Sequence, residues 1–358
     1  MNTKTKILNE QGVSIWLDNI TRKILDDGTL ESYITELSMT GLTSNPTIFD
    51  NAITKSEDYD TAIRESGQDT DGEKLFFTLA IEDIQRAADL FHPVFERTNG
   101  GDGDVSIEVS PLLAYDTEST IKAAKTIFWQ VNRPNVFIKI PGTPEGLPAI
   151  ERVIAEGIPV NVTLLFSADQ YEAAAGAWLK GVEIRAEKGL NPDIRSVASV
   201  FVSRWDKAIA GKVSDGLKNK LGLAVSQKTY EWYRQFLQSE RVQRLLNLGV
   251  SPQRLLWAST GTKDPEVSDV LYVENLIAPF TVNTMPENTL LAFADHGKKG
   301  AVLPRSCDLT DKVLKQFEAE GVDVPSLAET LQKEGAISFI ESWNHLISSI
   351  EQKRRLIL

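Results

Sequence analysis

The sequence predicts a closed (β/α)8 barrel. Eight short apolar segments recur along the chain, stretches with helix periodicity separate them, and no GxGxxG dinucleotide fingerprint follows the first. The segments are 14–18, 41–45, 105–109, 136–140, 159–166, 196–203, 254–260 and 280–285. Most are rich in β-branched or aromatic residues, as strands buried on both faces are. Between them, Leu75, Leu79, Ile81, Ile84 and Ala88 recur at helical spacing, and so do Tyr171, Ala174, Ala175, Trp178 and Leu179. Strands alternating with helices build a parallel sheet, and eight such units favour closure over an open doubly wound sheet.

No linker divides the 358 residues, so one domain is expected over 1–358. A short extra segment precedes the first strand. The stretch 98–104, TNGGDGD, reads as a loop and is the most flexible-looking part of the chain. Residues 206–252 read as a helical insertion between the sixth and seventh strands. Residues 308–358 read as a helical tail on the barrel. Its apolar stripe, Phe339, Trp343, Leu346, Ile347 and Ile350, is expected to pack there rather than bind a partner.

Hydrophobic residues make up 42% and charged residues 25%, the balance of a globular protein in water. The formal net charge of −12 disfavours nonspecific binding to nucleic acid or anionic membrane. A small anionic ligand responds instead to the local field of its pocket. The single cysteine, Cys307, allows no intrachain disulfide and no cysteine metal cluster, and is read as structural or incidental. His92, His296 and His345 lie far apart with no HExxH-type spacing, so a metal site is not expected. Residues 1–11 are polar, and no apolar run approaches the ~18–20 residues of a spanning helix, so the cytoplasm is the expected location. Monomer and homodimer are both open.

In a barrel, an inward residue near the C-terminal end of a strand faces the active site. Lys139 sits in NVFIKIPG among Phe137, Ile138 and Ile140. Burying a lysine is costly, and desolvation favours the neutral amine, the form that attacks a carbonyl. A snorkelling lysine at a strand end is the bland alternative. The neighbouring strands carry further polar residues. Glu108 shares a face with Ser106 and Ser110, and Asn161 shares one with Thr163. The first strand ends in Asp18 and the second in Asn45, either of which could cap a helix. The sixth carries Ser199 and leads to Arg204, and the seventh ends at Ser259 before Lys263. Together they suit Schiff-base chemistry on a polyhydroxylated substrate, with Arg204 and Lys263 able to hold a phosphate.

At these residues the chain resembles the transaldolase family, in its longer bacterial branch. The matching segments are GLTSNPTIF (41–49), VSIEVSPLLAYD (105–116), NVFIKIPGT (135–143), NVTLLFS (161–167), SVASVFVSRWD (196–206) and LLWASTGTKDP (255–265). The resemblance implies a TIM barrel. It implies that Lys139 forms the Schiff base, that Asp18 is the acid/base of carbon–carbon cleavage, and that Glu108 and Thr163 position a water. Asn45, Asn161 and Ser199 then bind hydroxyls of the dihydroxyacetone moiety, and Arg204 and Ser259 the phosphate. In the best-studied branch an arginine stands two residues after that serine. Here the position is Gly261, and Lys263 is expected to supply the cation.

The implied reaction converts sedoheptulose 7-phosphate and glyceraldehyde 3-phosphate into erythrose 4-phosphate and fructose 6-phosphate, in the non-oxidative pentose phosphate pathway. The alternatives are a fructose 6-phosphate aldolase, from a shorter branch that differs near Phe201, and an inactive sugar-phosphate-binding barrel. Fusion to an isomerase is disfavoured by length.

Overall fold

The computed structural model describes residues 2–66, 71–306 and 308–357; Cys307 lies outside them. Eight strands form a closed, all-parallel barrel in sequence order. They are β1 (Val13–Asp18), β2 (Met39–Thr43), β3 (Asp104–Glu108), β4 (Val136–Pro141), β5 (Val160–Leu165), β6 (Ser196–Phe201), β7 (Arg254–Ala258) and β8 (Thr281–Met285). Helices intervene between them, which makes this the (β/α)8, or TIM, barrel expected from the sequence.

Several strands differ from the apolar segments at their ends, and left-handed backbone explains three cases. Ser259 (φ 56°) ends β7 early, Phe280 (φ 63°) delays β8, and Ser38 (φ 57°) turns the chain into β2 at Met39, two residues before the expected start. A residue at positive φ breaks the regular pleat. Asn45 also lies outside β2. Its side chain accepts a hydrogen bond from the Ile48 amide (3.1 Å) and starts the helix Pro46–Thr54, with Pro46 in the first turn.

Strand alternation sorts the apolar residues into two layers. Ile15, Leu17, Ile138, Ile140, Val160, Val162 and Trp257 face the surrounding helices. Trp16, Phe137, Val197, Leu256 and Val282 fill the barrel's own interior. Trp16 stacks against Phe137 (centroids 6.1 Å apart), and its indole N–H donates to Asp102 Oδ1 (2.8 Å). The glycine-rich loop 98–104 is thereby fastened under the barrel, where Asp102 also accepts from Ser14 and Arg254 donates to the Gly101 carbonyl (3.0 Å).

Gly41 is the glycine that this plug requires, since a Cβ there would lie 2.4 Å from Trp16 Nε1. Gly41→Ala should lower unfolding stability by about 1–3 kcal/mol in urea melts, the usual cost of overpacking. Gly176→Ala, on an open helix face, should lose nothing. Equal midpoints for the two variants would show that Trp16 yields freely.

The expected insertion forms the helices Ser203–Ala208, Leu221–Leu237 and Glu240–Asn247, beginning three residues earlier than its sequence signal. The tail forms Asp308–Ala319 and Val324–Ile357. The last helix lies against Pro46–Thr54, Gly72–Arg97 and β5. Trp343 packs edge-on to Phe76 at 5.0 Å, and Leu346 and Ile350 are fully buried. No helix of the described residues is long and apolar enough to cross a membrane.

Candidate active site

Lys139 points into the barrel directly above Phe137, while Ile138 and Ile140 on either side point out. The isoleucines that made this lysine conspicuous in the sequence therefore do not surround its amine. Nζ instead lies 3.3 Å from Glu108 Oε2 and donates to the Ser44 carbonyl (3.1 Å). Both side chains are nearly buried, and Glu108 is the direct register partner of Lys139 across β3 and β4.

A cavity of about 230 Å³ opens above this pair at the C-terminal ends of the strands. Asp18, Asn45, Lys139, Thr163, Ser199, Phe201, Arg204, Ser259 and Lys263 line it. Glu108 and Asn161 lie just beneath. Asn161 is fully buried; its N–H donates to Ser106 Oγ (3.1 Å) and its carbonyl accepts from Ser199 Oγ (2.7 Å). Ser199 therefore spends its proton on Asn161 and offers lone pairs to the cavity. A larger cavity of about 570 Å³ lies at the opposite end of the barrel, around Phe280 and Tyr233. Its one acid, Asp104, is paired with Arg195, and its other charged groups are Arg234 and Arg254, so it holds no lysine amine beside a carboxylate as the smaller one does.

Asp18 is held from several sides. Thr43 Oγ1 donates to Asp18 Oδ1 (2.8 Å) and receives a 2.6 Å hydrogen bond from Thr284 Oγ1. Burial raises the Asp18 pKa, opposed by the Lys139 charge, the Thr43 hydrogen bond, the Lys263 charge and an Asn45 hydrogen bond, in that order. Burial likewise raises Glu108, opposed mainly by Lys139. Apart from its ion pair, neither Glu108 oxygen has a hydrogen-bond partner, and Thr163 Oγ1 is also buried without one. Buried polar atoms left unpaired in this way are costly, and here they are available to a ligand or water oxygen.

The rim of the cavity is cationic. The Arg204 guanidinium sits 5.1 Å from the Phe201 ring and 5.7 Å from the Phe339 ring. Burial lowers its pKa, opposed by Glu334, and an arginine remains charged at neutral pH regardless. Lys263 stands exposed on the loop after β7. The Ser259 and Ser203 hydroxyls hydrogen-bond at 2.9 Å. A Cβ at Gly261 would meet Pro286 at 3.1 Å, so a larger residue there would require that proline to move.

Three contributors escape sequence reasoning. Thr43 and Thr284 look like ordinary β-branched strand residues, although Thr43 is inward by alternation. In the sequence Phe339 belongs to an apolar tail stripe, yet its ring covers Lys139 Nζ at 5.7 Å. Only the fold reveals that the last helix reaches the barrel mouth. Among the described residues no three His, Cys, Asp or Glu side chains converge as a metal site would require.

The family model described as Transaldolase/Fructose-6-phosphate aldolase matches residues 15–350. A transaldolase of Parafrankia sp. (strain EAN1pec) is 42% identical over 97% of this chain and 96% of its own length. One of Arthrobacter sp. (strain FB24) is 44% identical over 98% and 97%, and one of Trichodesmium erythraeum 43% over 96% and 95%.

Proposed function

The chain belongs to the transaldolase/fructose-6-phosphate aldolase family and has transaldolase activity, and from that premise we propose how its residues share the reaction. The carrying observation is the buried Lys139 amine, set between the Glu108 carboxylate and the Ser44 carbonyl and facing one cavity with Asp18. The donor is sedoheptulose 7-phosphate and the acceptor glyceraldehyde 3-phosphate; the products are erythrose 4-phosphate and fructose 6-phosphate.

The Lys139 amine attacks the ketose C2 carbonyl to give a carbinolamine. Glu108 and Thr163 hold the water through which its hydroxyl is protonated and lost, leaving the iminium. Asp18 takes the C4 hydroxyl proton. The C3–C4 bond then breaks, its electrons pass into the iminium, and the aldose departs from an enamine on Lys139. The acceptor aldehyde repeats these steps in reverse, and water releases the new ketose. Asn45 and Ser199 face the dihydroxyacetone hydroxyls, with Asn161 fixing Ser199 from below. Phe201 forms an apolar wall, and no cofactor enters the scheme.

Arg204, Ser259 and Lys263 hold the substrate phosphate, with the half-buried Arg204 as the main ligand. Arg204→Ala should raise KM for phosphorylated substrates about 10–100-fold, the scale of a lost charge-assisted hydrogen bond, while barely affecting an unphosphorylated analogue. Equal rises for both would remove the phosphate role. A cytoplasmic location suits an enzyme of these sugar phosphates, and neither nucleic acid nor membrane is part of the proposal.

The substrate assignment is tested by incubating the enzyme with fructose 6-phosphate, with and without erythrose 4-phosphate. Transfer to sedoheptulose 7-phosphate should far exceed release of free dihydroxyacetone. Release as the main outcome would make the chain an aldolase.

A further inference from the structure

The geometry points to Gln332, on the last helix, as a positioning residue for the imine-forming step: we propose that its side-chain amide holds the backbone turn that aims Thr163 into the cavity. This rests on the reading that Thr163 and Glu108 hold the water of imine formation.

The ladder between β5 and β6 is irregular. Val162 pairs with Ala198 and Leu165 with Val200, so Thr163 and Leu164 together oppose Ser199 alone. That is a bulge, and at its centre Leu164 adopts φ 60°. A non-glycine residue held left-handed costs about 1–3 kcal/mol and persists only where its surroundings enforce it. Glycine would suit the turn, but the Leu164 side chain is buried with Phe166 and Phe201 inside the barrel mouth.

The enforcing contacts converge on one amide. Gln332 Nε2 donates to the Leu164 carbonyl (2.9 Å) and to the Gly142 carbonyl (3.1 Å). Both of its hydrogens are thereby used. The Gly142 amide in turn donates to the Thr163 carbonyl (2.8 Å). Gly142 must approach this closely, since a Cβ there would lie 2.4 Å from the Leu165 side chain. Gln332 thus clips the end of the strand bearing Lys139 to the bulge bearing Thr163. The bulge leaves Thr163 Oγ1 buried, without a protein partner and facing the cavity. Gln332 does not line that cavity, so it acts through Thr163 and not on substrate.

Gln332→Met keeps side-chain length and helix propensity but has no donor. On protein with native far-UV circular dichroism, the rate of borohydride-trappable adduct formation with fructose 6-phosphate should fall about 10–100-fold, the scale of a misplaced catalytic group. KM for fructose 6-phosphate should change less than about twofold, since Arg204 and Asn45 are untouched. In a Thr163→Val background the same substitution should cost less than about twofold, because the group it positions is gone. Equal losses in both backgrounds, a rise in KM in place of the slower step, or an unchanged rate would overturn the inference. If Thr163→Val alone leaves adduct formation unchanged, the reading of Thr163 fails first.

Discussion

Lys139→Ala should fold, give no borohydride-trapped adduct with fructose 6-phosphate, and lose transfer activity by about 10⁴-fold or more, as removal of a covalent nucleophile does. The size of the effect follows from position. Lys139 is 5% exposed, lies within 3.3 Å of Glu108 and opens only to the cavity. Lys263, also on the cavity wall, is exposed on a loop and lacks such a setting. The variant leaves Glu108 buried without its counter-ion, so the carboxyl should be driven further toward its neutral form, and some stability is lost with it. Mass mapping of the trapped wild-type protein should place the adduct on the peptide containing Lys139. An adduct on Lys263, or a trapped Lys139→Ala protein, would end the assignment.

Asp18→Asn should separate two stages of the reaction. The amine, and the Glu108 and Thr163 that we propose hold the water, are intact, so the imine should still form and be trapped. Cleavage needs a base for the sugar hydroxyl, and its loss should slow transfer about 10²–10⁴-fold. The pH dependence gives a second readout. In the proposed role Asp18 must be ionised to accept the proton, and burial raises its pKa. The wild-type acid limb should therefore lie above the ordinary carboxylate range, with activity falling as pH drops through the raised pKa. In Asp18→Asn that limb should move or vanish. Failure of the variant to form the imine would assign Asp18 to the earlier stage.

The barrel and most of the candidate site were legible because strand alternation is a strict local rule. Once 136–140 is a strand, Phe137 and Lys139 share a face, and the same reasoning groups Ser106 with Glu108 and Asn161 with Thr163. The rule fails where the backbone departs from the pleat. Nothing in VNVTLLF marks Leu164 as left-handed, and the bulge there depends on an amide supplied by Gln332, far along the chain. Long-range partners were equally hidden. The hydroxyl chain from Thr284 through Thr43 to Asp18 spans β8, β2 and β1. The stripe containing Phe339 announced burial correctly, but not that one of its members would roof the amine. The absent arginine at Gly261 was legible as a departure; Pro286, which crowds that position, was not.

Phe339 also sets an order of events in the life of the polypeptide. The barrel's final strand ends at Met285, but the ring over Lys139 belongs to a helix that begins at Val324. During translation that helix is made after all eight strands, and until it docks the amine is roofless and the Leu164 turn lacks its clip. Competence for chemistry therefore waits on a helix made after the barrel's last strand, and proteolysis that removes it should leave a protein that turns over little substrate.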